Sequence, residues 1–175
     1  MHVDIDRAVR AVRAAQEFAW SWTVADLPVF AAAVGWTLVD IGKEYPRLVT
    51  DLAVNRPETS ANIAVPPSPF PPGQLNRIGF DVTDVVLDDP EVQLAVDEAF
   101  DEFVHQLFVT LRQGPTSSWA APTRGLRWEF PHLVLEVTPG SQKVWVSLIN
   151  PAYHHWYEEI TELARREAEE EADDD

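Results

Sequence analysis

The sequence predicts an α+β fold: one antiparallel sheet of about five to six strands, with three to four helices packed mainly on one face. Three observations predict it. Amphipathic stretches with helical spacing carry recognisable start and stop signals, runs between residues 126 and 148 alternate with period two, and the segments follow the order helix, strands, helix, strands, helix. The 175 residues, 46% of them apolar, suffice for one core and would cramp a second. The expected organisation is a single domain over residues 1–164 with an acidic, disordered tail at 165–175.

From Asp4 to about Phe18, Ile5, Val9, Val12 and Ala19 recur at helical spacing while Arg7, Arg10 and Arg13 share the other side. A second helix is expected from Asp26, with Pro28 tolerated in its first turn and Gly35 as its stop. "WTLVDI" (36–41) then reads as a strand, Arg47 to Val54 as another, and Arg77 to Val82 as a third with Ile78, Phe80 and Val82 on one side. Five prolines within residues 66–72 remove the donors that a central strand needs, so "VPPSPFPPGQ" is a stiff exposed loop.

The longest helix is expected over Pro90–Gln113, capped by Asp89 and ended by Gly114-Pro115. Its core stripe is Val96, Phe100, Phe103, Val104, Leu107 and Leu111, and Glu91, Glu98, Asp101 and Glu102 project from the opposite face. Three alternating runs follow: Leu126, Trp128 and Phe130, then Leu133, Leu135 and Val137, then Val144, Val146 and Leu148. Short breaks between them make a meander. Asn150 can cap a last helix whose expected buried stripe is Tyr153, Trp156, Tyr157, Ile160, Leu163 and Ala164.

That last helix holds the nearest approach to a chemical motif, "HHWYEE". A zincin-type site needs two His four residues apart on one face, whereas His154 and His155 diverge by about 100° onto the two flanks of the outward face. Their spacing to Glu158 and Glu159 is that of ordinary helix neighbours. His105 and His132 are read as solvent-facing. The acid-rich stretch 81–89 lacks the pattern of a calcium loop and is read as a strand end running into a helix cap. No G-x-S-x-G elbow, G-x-G-x-x-G fingerprint or P-loop is present. Six of the seven Trp fall in or beside expected elements, where packing explains them. Trp119, in an irregular loop, and Phe70, isolated among prolines, are candidate interface anchors.

With no Cys, the chain has neither disulfides nor thiolate nucleophiles nor Cys-ligated zinc, and it suits a reducing cytoplasm. The start carries acids and arginines where a secretory signal needs an apolar run, so the protein is expected to be soluble and cytoplasmic. A formal charge of −16 disfavours nucleic acid and anionic membranes and favours a basic partner. Between Arg77 and Arg112 there are nine Asp or Glu and no Lys or Arg. That segment cannot neutralise itself.

The quoted runs "VTLRQGPTSSW", "RGLRWEF" and "LVLEVTPGSQKVWVSLINP", with "WSWTVADLPVFAAAVGWTL" earlier, resemble a family of small uncharacterised actinobacterial proteins over about residues 5–160. Some members look like immunity proteins for toxins of type VII secretion, including the mycobacterial kind that neutralises an NAD-degrading necrotising toxin. The resemblance implies a cytoplasmic, non-enzymatic, cofactor-free α+β protein that occludes a toxin's active site one to one. A toxin that binds the dianionic pyrophosphate of NAD needs an electropositive pocket, to which an acidic plug is complementary. No binding residue can be carried over from the family. The candidates are the surface ones: Phe70, Glu91, Glu98, Asp101, Glu102 and Trp119. A secretion-linked chaperone or adaptor that holds a disordered partner segment is the first alternative, and an enzyme built from dispersed carboxylates and histidines the second.

Overall fold

The computed structural model describes residues 1–40, 45–87 and 89–173. Helix α1 (Ile5–Glu17) starts where the Asp4 carboxylate accepts the Arg7 N–H. It buries Ala8, Ala11, Val12 and Ala15, small side chains that let a neighbouring helix approach closely, with Ile5 and Val9 at the margin. Helix α2 (Asp26–Val34) ends at Gly35, whose φ of 78° is the left-handed conformation of a helix stop. Ahead of it, the buried Asp26 carboxylate accepts the N–H groups of Ser21 and Trp22 at 2.9 and 2.7 Å. Those bonds hold Trp22 at φ 55°, unusual for a bulky residue.

Four strands follow: β1 (Thr37–Asp40), β2 (Arg47–Val49), β3 (Glu58–Ile63) and β4 (Leu75–Asp81). After α3 (Val92–Leu111) come β5 (Ser117–Trp119), β6 (Gly125–Phe130), β7 (Leu133–Pro139) and β8 (Val144–Ile149), and α4 (Pro151–Asp173) closes the described chain. All eight strands form one antiparallel sheet in the order β1-β2-β3-β4-β8-β7-β6-β5. It is two four-stranded meanders joined by α3 and seamed through their last strands, β4 and β8.

Eight strands replace the expected five to six. The additional pair are β3, whose "ETSANI" has no apolar alternation, and β5, three residues inside a polar loop. The strand expected over Arg47–Val54 is only its first three residues, and Ile41 of "WTLVDI" lies outside the described residues. Helix α3 stops at Arg112, which adopts the left-handed conformation (φ 53°), two residues before the expected glycine.

Alternation sorts the sheet. Ile78, Phe80, Trp128, Leu135, Val146 and Leu148 face α1, α2 and α3 and form the core, each burial contributing roughly 1.5–3 kcal/mol. Trp128 is fully buried, and its indole N–H donates to the Gln113 carbonyl at 3.0 Å. The other face carries α4. Asn150 caps α4 by accepting the Ala152 N–H at 3.0 Å, as its sequence position predicts.

The expected buried stripe of α4 is wrong beyond its first turns. Tyr153 and Trp156 are half-buried, but Tyr157, Ile160, Leu163 and Ala164 are exposed, because the helix leaves the sheet and continues through the segment expected to be a disordered tail. Residues 174–175 lie outside the described residues. Among the described residues, no helix is long and apolar enough to cross a membrane.

Candidate functional site

On the sheet face turned away from α1–α3, Arg77, Gly79 and Asp81 of β4 stand beside Ile149, Ser147 and Trp145 of β8. One row runs on from Ser147 to Glu136, Arg127 and Ser117 across β7, β6 and β5. Two indoles lie flat on this face because the residue beneath each is glycine: a Cβ at Gly79 would overlap Trp145, and one at Gly125 would overlap Trp119. Trp145 is further fixed by donating to Ser147 Oγ at 2.8 Å, with Lys143 Nζ 4.3 Å from its ring centre.

The first turns of α4 wall this face and leave an open groove of about 720 Å³, with Arg77, Arg127 and Glu136 below and Tyr153, Tyr157 and Glu158 on the helix side. Arg127 is its hub. The guanidinium donates to Glu136 Oε1 at 2.9 Å and to Glu158 Oε1 at 2.6 Å, and lies 5.5 Å from the Trp119 ring. Arg77 makes no ion pair among the described residues. The sequence singled out neither arginine, although the strand partners Arg127 and Glu136 both occupy the polar positions of alternating runs, a signal that they share a face.

His154 departs from its expected outward position. It is 8% exposed, lines the groove, and has Nε2 3.3 Å from Glu158 Oε1 without a well-directed hydrogen bond. His155 is exposed beside Glu159, so the two imidazoles do diverge. His132 is not solvent-facing either: its Nε2 lies 2.6 Å from the Gln16 carbonyl, and its own carbonyl accepts the Trp22 indole N–H at 2.9 Å. His105 is exposed, as expected.

Glu91, Glu98, Asp101 and Glu102 all lie exposed on the outer face of α3. Asp101 is shared with Asp97 by Arg124, which reaches both carboxylates at 3.1 Å from the β5–β6 connection and stacks 4.5 Å from the Phe100 ring centre. Glu91, Glu98 and Glu102 make no ion pair among the described residues. Trp119 is partly buried and shares with Asp101 and Arg124 a shallow cleft of about 360 Å³ between α3 and β5–β6. Phe70 is elsewhere. It packs on Tyr153 and Trp156 with ring centres 6.0 and 5.5 Å away, clamping the proline loop over the base of α4.

In the acid-rich stretch, burial pushes the Asp81 carboxyl above its ordinary range, against the opposing pull of Lys143 at 2.7 Å. Burial also raises Asp84, but the N–H groups of His2 and Asn55, each donating at 2.7 Å, outweigh it and hold that carboxyl low. Asp89 accepts the Glu91 N–H at 2.9 Å at the start of α3. These three serve the fold, but Asp89 is not the expected cap: α3 begins at Val92, two residues after Pro90, with Glu91 at the cap position and no side chain capping it. Asp88 lies outside the described residues. Among the described residues, no three His, Asp or Glu side chains gather as metal ligands do.

A family model matches residues 6–150, most of the chain. The protein belongs to DUF6301, a family of unknown function. No curated protein and no solved structure matches it. The DUF6301 match spans the whole sheet and α3, and α4 lies beyond its end.

Proposed function

We propose that this protein is a binding module: an immunity protein that docks one to one on a cognate secreted toxin, covers a basic active-site cleft and catalyses no reaction itself. The observation that carries this reading is negative charge left uncompensated on a rigid surface. On the outer face of the 20-residue α3, Glu91, Glu98 and Glu102 have no cationic partner among the described residues, and Leu94, Phe108 and Val109 are 68%, 55% and 59% exposed around them. Unpaired carboxylates held on a helix are already positioned for a cationic partner, so little ordering cost falls on binding. Exposed apolar side chains within and beyond the acidic stretch add area that a partner can dry.

Trp119 and Arg124, at the edge of the same surface, extend it toward β5. Phe70, clamped against α4, belongs to the opposite side of the sheet, away from this surface. A toxin that hydrolyses NAD is the first class to try, because its pyrophosphate pocket must be electropositive. The test is growth rescue. Co-expression with the catalytic domain of a toxin found encoded beside this gene should restore growth and give a one-to-one complex that weakens as salt rises. A folded toxin domain that keeps its activity and does not associate at low ionic strength overturns the reading.

A further inference from the structure

We propose that the apolar face of α4 is a second docking surface, built to receive the apolar face of a basic amphipathic helix from a partner protein. Tyr157, Ile160 and Leu163 recur every three residues on one side of α4 and are 54%, 38% and 56% exposed. The stripe begins at the half-buried cluster of Tyr153, Trp156 and Phe70, so the helix is anchored at its base and free beyond it. At 23 residues, α4 is about 35 Å long, and its second half, beyond the groove-lining Glu162, runs past the sheet. Several turns are therefore available to a second helix.

Charge decides the occupant. Helix α4 contains eight Asp or Glu and two Arg. Both arginines are already held within the helix, Arg165 by Glu162 and Glu169 at 2.8 Å and Arg166 by Glu162 at 3.1 Å. Glu159 borders the stripe and Glu167 and Glu170 follow beyond its outer end, while Glu158, on the groove side, is held by Arg127 at 2.6 Å. A second copy of this chain would bring two strongly negative helices together along their length, whereas lysines or arginines bordering an apolar face would meet the carboxylate excess of α4. The surface lies across the sheet from the acidic face of α3, and the proposal stands whichever partner α3 meets.

The probe is an 18-residue helical peptide of leucine and lysine with its leucines on one face, titrated calorimetrically into the full chain beside a scrambled peptide of the same composition. One-to-one binding is expected. The Y157S/I160S/L163S variant should weaken it at least tenfold with the far-UV spectrum and melting temperature unchanged, and the scrambled peptide should bind at least tenfold more weakly. Glu58→Gln, an exposed acid on β3, should stay within about twofold of the parent. Should the triple variant lose fold, Leu163→Ser alone, at the outer end of the stripe, should still weaken binding about threefold. Equal affinity of parent and folded variants, or no binding, overturns the proposal. So does a parent that sediments as a dimer while the variant is monomeric, because the occupant is then a second copy.

Discussion

Asp84 ties three distant segments together with one side chain. Its two oxygens take the backbone N–H groups of His2 and Asn55, and Asn55 in turn pairs with both backbone groups of Val85 at 2.8 and 2.9 Å. Asp84→Ala leaves two donors without their acceptor and should lower stability by about 2–3 kcal/mol, read by urea unfolding. Because its folded-state pKa is depressed, this contribution is complete above the ordinary value of 3.8 and is lost as pH falls below it through the folded-state value. Asp81 has the opposite sign: its pKa is raised, so its ionisation costs stability as pH rises through that raised value. Lys143→Met removes the partner of a buried carboxylate and should destabilise the protein at pH 7 by about 1–3 kcal/mol, with the deficit shrinking on acidification. At Gly125 the limit is steric. Gly125→Ala must displace the Trp119 ring, and near-UV circular dichroism should record the change.

Among the elements, those with strong periodicity were legible in the sequence, and those without it were not. Helix α3 follows its expected stripe, with Val96, Phe100, Phe103 and Leu107 buried. Strands β3 and β5 escaped because neither "ETSANI" nor "SSW" alternates; each is held by the strand beside it rather than by its own pattern. Helix α4 illustrates a different limit. The spacing of Tyr153, Trp156, Tyr157, Ile160 and Leu163 correctly places them on one side, but spacing alone does not say whether anything covers that side. His154 was misplaced for the same reason, since its burial comes from the groove that α4 forms with the sheet. On α3, Arg124→Ala frees Asp97 and Asp101. Exposed pairs of this kind are worth about 0–1 kcal/mol, so the melting temperature should barely move while association with a basic partner quickens.

Over the whole molecule, net charge was readable and its placement was not. Of the nine acids between Arg77 and Arg112, Asp97 and Asp101 meet Arg124, and Asp81 meets Lys143, both cations from the second half of the chain. What remains on α3 and α4 is surface charge at the end of a formal −16. Salt should act in two directions at once. Raising it from about 20 to 200 mM shortens the screening length from roughly 20 to 7 Å, so the melting temperature of the free protein should rise as self-repulsion is damped while affinity for a cationic partner falls. Equal and same-signed responses in the two measurements would count against the acidic surfaces as binding sites.

The seam between β4 and β8 pairs residues 77–81 with residues 145–149. On the ribosome, β4 is therefore made long before its central neighbour, and its edge, with the apolar residues Leu75, Ile78 and Phe80 above it, stays open until nearly the whole chain has emerged. A chain cut after residue 142 loses only β8 of the sheet, leaves the edges of both β4 and β7 unsatisfied and should accumulate in inclusion bodies, whereas a cut after residue 164, past the base of α4, should leave the sheet closed and the product soluble.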